Sequence, residues 1–208
     1  MQKATLIKQW LDKKLIINKE VLEAFNKVKR ENFILKKYLK QAYEDIPLPI
    51  GFGATVSQPT TVIIMTQALE VKNGNRILEV GTGSGYQAAI LSVLAGEKGK
   101  IITTEFIKEL SEFAKQNLKQ YKNIEVIHTD GSKGYKQKAT YDAIIITAAI
   151  PEIPKTLIDQ LKEGGRLVAP VGPQGEQRMI KIIKKENKLI KENLGSFMFV
   201  PLKGRHGY

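Results

Sequence analysis

Short apolar runs alternate with amphipathic stretches along the chain from residue 76 to residue 171, which is the pattern of strands alternating with helices. The runs predict five strands, at Arg76–Val80, Lys100–Thr104, Asn123–Ile127, Tyr141–Thr147 and Arg166–Val171. Helical spacing predicts helices between them, at Tyr86–Leu94, Ile107–Gln120 and Glu152–Leu161. Two further strands are predicted at Met179–Lys184 and Gly195–Val200, with Glu186–Lys188 as a hairpin-like turn. Continuous apolar strands are typical of parallel sheets buried on both faces. The pattern therefore predicts an α/β fold with a mostly parallel seven-stranded sheet and helices on both faces.

The first part of the chain has a helical pattern instead. Leu6 and Trp10, then Val21 and Phe25, recur at helical spacing, and Asn18 between them is a plausible N-cap. We expect residues 1–40 to form helices packed on a single domain that spans residues 1–208.

The segment Ala42–Thr61 contains prolines and glycines that disfavour a regular element, and it is longer than an ordinary connection. It predicts a long functional loop. Pro59 suits the first turn of a helix that reaches about Val71, with Ser57 or Gln58 as its cap. An N-cap is therefore one interpretation of Ser57, and a site residue is the other.

Every second residue is glycine in the turn between the strand Arg76–Val80 and the helix Tyr86–Leu94. These glycines are Gly81, Gly83 and Gly85. A dinucleotide-binding turn would require a third glycine where Tyr86 stands. The pattern from Glu79 to Gly85, E-x-G-x-G-x-G, resembles the first motif of Rossmann-like S-adenosylmethionine-dependent methyltransferases. That cofactor carries an ammonium group, which an acid at the strand end, Glu79, would attract.

Two further acids follow predicted strands. Glu105 lies 20 residues after Gly85, close to the roughly 20 at which a carboxylate meets the ribose hydroxyls of a bound nucleoside. The alternative for Glu105 is a solvated glutamate that caps the helix beginning near Ile107. Asp130 follows the third predicted strand, where it could accept a hydrogen bond from an adenine amino group.

Composition removes some classes of chemistry. The chain has no cysteine, so thiolate metal sites and cysteine nucleophiles are excluded. Charges interrupt the apolar residues at the amino terminus, which predicts neither a signal peptide nor a membrane span, and we expect a cytoplasmic protein. The formal net charge of +12 would suit RNA. The lysines are spread out, however, and no aromatic residues interleave with them, so a solvated lysine-rich surface is favoured and nucleic acid is not the expected partner.

Longer segments resemble one family, the protein L-isoaspartate (D-aspartate) O-methyltransferases. The segments that carry the resemblance are Asp45–Pro59, Leu78–Leu91, Asp130–Tyr135, Tyr141–Ala149, Leu157–Gly172 and Phe199–Tyr208. The first of them, DIPLPIGFGATVSQP, is the most specific, because unrelated methyltransferases share the glycine-rich motif. The resemblance implies a Rossmann-like class I methyltransferase fold. We expect a monomer and no metal site.

The resemblance also implies a reaction and a site. A methyl group passes from S-adenosylmethionine to the α-carboxylate of an isoaspartyl residue in a peptide or protein, and the ester then closes to a succinimide that reopens partly to aspartate. Ser57 corresponds to the family's active-site serine, and Thr55 and Val56 line the acceptor pocket. The residues that match the cofactor site are Glu79, Gly81, Thr82, Gly83, Ser84, Gly85, Glu105, Asp130 and Gly131. A carboxylate is ionised at neutral pH, so neither His128 nor His206 is needed as a base.

Two departures and three alternatives bear on the substrate. Thr129 stands where the family usually has glycine, and Ala54 where it has a loop glutamine, so acceptor choice could differ. An RNA base methyltransferase would explain the charge, but the Pro-Pro-aromatic motif that follows the fourth strand in such enzymes is absent. A peptide-tailoring carboxylate methyltransferase with one dedicated precursor would share the fold. A module that binds the cofactor without turnover is disfavoured by the intact acceptor loop.

Overall fold

A computed structural model describes residues 2–186 and 188–208 of the chain. Its centre is a seven-stranded sheet, and a separate two-stranded hairpin lies beside it. The hairpin is β1 (Leu48–Gly51) and β2 (Ala54–Val56), and the sheet is β3 (Arg76–Val80), β4 (Lys100–Glu105), β5 (Ile124–His128), β6 (Tyr141–Ile146), β7 (Leu161–Val171), β8 (Gln177–Lys185) and β9 (Lys188–Phe197). The strands lie in the order β5-β4-β3-β6-β7-β8-β9. The first five in that order pair in parallel, and β8 and β9 pair antiparallel with their neighbours.

The described α-helices cover both faces of the sheet, as the pattern predicts. They are α1 (Lys3–Asp12), α2 (Lys19–Lys27), α3 (Pro59–Leu69), α4 (Tyr86–Ala95), α5 (Lys108–Asn117) and α6 (Lys155–Gln160). The buried side chains of α1 to α5 share one core with one face of the sheet. The other face packs against α6 and the segment near Leu202. None of the helices in the described residues is long and apolar enough to cross a membrane.

The amino-terminal helices belong to the main core. Asn18 caps α2, because its Oδ1 accepts a hydrogen bond from the Val21 amide at 2.9 Å. Trp10 is 1% exposed, and its indole Nε1 donates to Thr60 Oγ1 at 2.7 Å. That bond ties α1 to the first turn of α3, which carries the segment around Ser57.

The expectation of an irregular loop over Ala42–Thr61 is wrong in its middle, where β1 and β2 form the hairpin. Leu48 pairs with Val56, and Pro49 with Thr55. The turn is possible because Gly51, Phe52 and Gly53 all have positive φ angles of 97°, 55° and 75°, a region that glycine enters at little cost. The glycines that argue against a strand in the sequence therefore make the turn of a hairpin.

Several predicted boundaries shift. The last strand begins at Lys188 and not at Gly195, and residue 187 of the predicted turn lies outside the described residues. The difference arises because β9 is an edge strand that is exposed over most of its length, so it has little of the apolar pattern of a buried strand. The helix predicted over Glu152–Leu161 begins at Lys155, after a proline.

Candidate active site

The glycine turn predicted from the sequence leads directly from β3 into α4. Gly81, Gly83 and Gly85 have positive φ angles of 97°, 54° and 89°. Two of them are also packed tightly, because a Cβ on Gly81 would lie 2.5 Å from Thr147 Oγ1 and one on Gly85 would lie 2.8 Å from Leu118. At Gly83 no atom comes closer than 3.5 Å to that position. A ligand can therefore approach the main chain at Gly83, whereas Gly81 and Gly85 are packed against neighbouring side chains.

A cavity of about 250 Å³ lies at the carboxyl ends of the parallel strands. Its wall includes four predicted cofactor residues, Gly81, Gly83, Glu105 and Gly131, together with Thr55 of the hairpin. Ligands of open α/β sheets collect at this edge. The structure therefore brings the turn after β3, the acid that ends β4 and the loop after β5 to one cavity.

Glu105 is 6% exposed and forms part of the cavity wall. Its Oε2 accepts from the Gly83 amide at 2.9 Å, and its Oε1 accepts from the Ile107 amide at 3.0 Å. An ionised carboxylate has about four acceptor positions, so two hydrogen bonds leave capacity for a diol. Glu105 therefore holds the start of α5, as the capping interpretation expects, but it is buried and not solvated. The ribose role stays a prediction, for which the position of Glu105 in the cavity wall is suitable.

Glu79 is fully buried below the glycine turn. Its Oε2 accepts from Thr103 Oγ1 at 2.6 Å, and its Oε1 has no hydrogen-bond partner in the described residues. Burial raises the pKa of Glu79 to about 8, and the charge of Glu105 acts in the same direction against the hydrogen bond from Thr103. A cationic ligand group such as an ammonium, placed beside this unpartnered oxygen, would favour the ionised carboxylate and lower that pKa again.

A second, smaller cavity of about 40 Å³ adjoins Glu79. Its lining includes two further predicted residues of the turn, Thr82 and Ser84, and the acceptor residues Val56 and Ser57. Gly85, also predicted for the cofactor site, lines neither cavity. Predicted cofactor and acceptor residues therefore meet around one space.

Asp130 is placed differently from the other predicted cofactor residues. Its Oδ1 accepts from Ser132 Oγ at 2.6 Å, and its Oδ2 accepts from the Arg205 amide at 3.0 Å. Burial alone would raise the pKa of Asp130, but these hydrogen bonds hold it below its usual value. Gly131 lines the main cavity, whereas Asp130 fixes the carboxyl-terminal segment that forms another part of the same wall.

The hairpin places the predicted acceptor residues at the junction of the cavities. Thr55 lines both the main and the small cavity, and Ser57 lines the small one. Ser57 does not cap α3: Gln58 occupies the N-cap position. The carboxylate of Asp45 caps the helix instead, because its Oδ1 accepts from the Thr60 amide at 2.8 Å. The N-cap interpretation of Ser57 is therefore wrong.

Arg30 binds the main chain on both sides of the hairpin, and no sequence pattern predicts this role. The side chain is 0% exposed. Its Nη1 donates to the Ser57 carbonyl at 2.7 Å, and its Nη2 donates to the Ile46 carbonyl at 3.2 Å. Burial lowers its pKa. In the sequence, Arg30 stands among lysines and glutamates, which is typical of a solvated surface.

Thr147 was also missed. It follows β6 and lines both cavities, and its Oγ1 donates to the Val80 carbonyl at 3.1 Å. Its position in the sequence is a signal, because Thr147 ends a predicted parallel strand, and Glu105 and Asp130 follow such strands. Ligands of open α/β sheets bind at the ends of such strands.

Sequence comparisons support one family. The profile described as protein-L-isoaspartate(D-aspartate) O-methyltransferase matches residues 1–207. Protein-L-isoaspartate O-methyltransferase 2 of Archaeoglobus fulgidus is 45% identical over 209 residues, which cover 100% of this chain and 95% of that protein. The protein-L-isoaspartate O-methyltransferase of Pyrococcus horikoshii is 47% identical over 198 residues, covering 93% of this chain and 89% of its own.

Solved structures agree with the sequences. One named protein-L-isoaspartate O-methyltransferase superposes with a TM-score of 0.89 at 31% identity, over 99% of this chain and 67% of that one. A crystal structure from Plasmodium falciparum that carries the same family name contains S-adenosyl-L-homocysteine. It superposes with a TM-score of 0.85 at 28% identity, over 96% of this chain and 97% of that one.

Proposed function

This chain belongs to the protein-L-isoaspartate(D-aspartate) O-methyltransferase family, and on that premise we propose how its residues divide the work of the reaction. The enzyme transfers a methyl group from S-adenosylmethionine to the free carboxylate of L-isoaspartyl residues in damaged peptides and proteins, in the service of protein repair. One observation carries the assignment of residues: the hairpin with Thr55 and Ser57 borders the cavities formed by the glycine turn and Glu105.

The donor set around the cavities fits S-adenosylmethionine. Glu105 would accept hydrogen bonds from the ribose hydroxyls, and the buried Oε1 of Glu79 would face the ammonium group. The main chain of the turn would hold the methionine part; its members are Gly81, Thr82, Gly83, Ser84 and Gly85. Gly131 would border the adenine, and Asp130 would act there either directly or by holding the adjacent segment. When bound, the cofactor supplies a methyl group activated by a positively charged sulfonium.

The acceptor side needs orientation more than activation. An isoaspartyl carboxylate is already ionised at neutral pH, so no proton has to be removed. The hydroxyls of Thr55 and Ser57 would donate hydrogen bonds to it, and Val56 would pack beside it. Alignment of two bound reactants lowers a barrier by about 7–11 kcal/mol in the best cases. Arg30 supports that alignment, because it fixes the main chain of Ser57.

We further infer that the enzyme acts as a monomer on peptides and proteins, without a nucleic acid. One chain already brings the hairpin and the glycine turn to shared cavities, so the proposed reaction needs no residue from a second copy. The argument against nucleic acid is that Lys203 is the only cationic side chain that borders the main cavity among the described residues.

Methyl incorporation from labelled S-adenosylmethionine tests the function. Two peptides are compared that differ only in having isoaspartyl or aspartyl at one position. The isoaspartyl peptide alone should take up label, in the form of a base-labile methyl ester. A tRNA sample in the same assay should take up no label. Equal labelling of the two peptides, or labelling of the RNA, would contradict the proposal.

A further inference from the structure

A third cavity, of about 230 Å³, borders the hairpin. Thr55 of the hairpin, Ser57 directly after it and Thr147 are among its lining residues. These same three residues also line the small cavity beside Glu79. The groove is therefore continuous with the place where we expect the acceptor carboxylate to bind.

The remaining wall of this groove is uncharged. Pro47, Met198, Phe199 and Val200 form its apolar part, and Gln58 and Thr61 its polar part. None of the lining residues carries a charge, although the chain has a formal net charge of +12. Met198 is 78% exposed, so a large apolar side chain stands in solvent at the mouth of the groove. An acidic or basic group placed here would lose water and gain no partner.

The chemistry of the substrate brings other side chains to this groove. In an isoaspartyl residue the chain continues through the β-carbon, so the free carboxylate is bonded directly to the main-chain Cα. The neighbouring Cα is only about 3.8 Å from that atom on the amino-terminal side. A carboxylate that reaches Ser57 therefore brings the side chain of an adjacent residue to the hairpin, and the groove is the adjoining space.

We propose that the groove between the hairpin and Met198 is a subsite for an apolar side chain next to the isoaspartyl residue. This inference rests on the proposed function and adds a substrate preference to it. Peptides with leucine beside the isoaspartyl residue should be methylated more efficiently than peptides with glycine there, and peptides with aspartate less efficiently. Partial burial of a leucine side chain corresponds to about a tenfold gain in kcat/KM.

The test uses isoaspartyl peptides that differ at one position only. Glycine, leucine or aspartate is placed before the isoaspartyl residue in one series and after it in another. Three enzymes are compared: the natural chain, Met198→Lys and Leu189→Lys. Met198→Lys puts a cation at the mouth of the groove, and Leu189→Lys adds the same charge at an exposed position of β9 outside it.

The subsite predicts a preference for leucine in at least one series with the natural enzyme. Met198→Lys should remove that preference and raise kcat/KM for the aspartate peptide several-fold, whereas Leu189→Lys should leave the preference as it was. Equal kcat/KM for glycine and leucine in both series would overturn the subsite, and so would a leucine preference that Met198→Lys leaves unchanged. Both outcomes would leave the proposed function standing. Failure to methylate any isoaspartyl peptide would overturn the function and the subsite together.

Discussion

Two carboxylates at the ends of neighbouring strands have different surroundings in this molecule. Glu105 accepts two main-chain hydrogen bonds and borders the main cavity. Glu79 accepts one hydrogen bond from a hydroxyl and has a second oxygen without a partner in the part of the chain that the structure describes. These differences give each acid a separate expected role and a separate test.

Glu105→Gln should weaken cofactor binding. The variant keeps the shape of the side chain but replaces a charged acceptor, and a hydrogen bond to a charged group contributes about 1.5–3 kcal/mol, so affinity should fall roughly tenfold or more. Titration calorimetry with S-adenosyl-L-homocysteine measures the affinity. Glu109→Gln, in the first turn of α5, is the matched control and should bind normally. Unchanged affinity in Glu105→Gln would remove Glu105 from the cofactor site.

Glu79 should make the stability of the free enzyme depend on pH. Its pKa rises from 4.5 to about 8 in the folded protein, so between these values the folded state keeps a proton that the unfolded state releases. The free energy of unfolding should therefore fall as pH rises from about 5 to 8, by at most about 5 kcal/mol for this group.

Urea unfolding of the natural chain and Glu79→Gln across this range isolates the contribution. The difference in unfolding free energy between the two should shift in favour of Glu79→Gln as pH rises, because the glutamine does not titrate. Parallel curves would mean that Glu79 is ionised in the folded protein throughout.

At the scale of elements, the hairpin and α3 are held by residues far away in the sequence. Arg30 binds the carbonyls of Ile46 and Ser57. Asp45 binds both the amide and the hydroxyl of Thr60, at 2.8 and 2.6 Å. The segment that carries the acceptor residues is thus fixed at both ends.

Asp45→Ala should destabilise the protein, because it removes the cap of α3. Loss of an N-cap costs about 0.5–2 kcal/mol. Asp45→Asn retains a capping oxygen and should cost much less. Urea unfolding followed by circular dichroism compares the two variants with Ser57→Ala. If Ser57→Ala were the more destabilising change, the capping role would belong to Ser57 after all.

The parts of the fold that sequence predicts are those with a strong local signal. The parallel strands are apolar runs such as Tyr141–Ile146. The glycine turn and the spacing to Glu105 predicted three residues that line the main cavity, Gly81, Gly83 and Glu105. The hairpin was missed because its two short strands are stabilised by Arg30 and by a turn with three positive φ angles, and local pattern shows neither. Arg30 is buried by residues that are distant in sequence, so no local hydrophobic pattern predicts its burial.

At the scale of the whole molecule, the amino-terminal helices and the sheet share one core, so we expect a single cooperative unit. Trp10 and Phe25 lie in the same buried cluster as Ile77 and Ile145. Trp10 is the sole tryptophan of the chain, and its fluorescence therefore reports on the amino-terminal helices, whereas far-ultraviolet circular dichroism reports on the whole.

Thermal unfolding followed by both signals should give coincident transitions. If the amino-terminal helices unfolded separately and first, the tryptophan fluorescence transition would occur at a lower temperature than the circular dichroism transition. That result would mean that residues 1–40 are a separate folding unit.

In the proposed reaction the hairpin orients the acceptor and the glycine turn with Glu105 holds the cofactor, and Ser57→Ala tests this division of roles most directly. Single-turnover methylation of an isoaspartyl peptide should slow about tenfold or more, as expected when a hydrogen bond to a charged group is lost. The affinity for S-adenosyl-L-homocysteine and the unfolding midpoint should stay near those of the natural chain, and Ser57→Thr should recover part of the rate. A Ser57→Ala enzyme with the full single-turnover rate would show that the Ser57 hydroxyl does not orient the acceptor carboxylate.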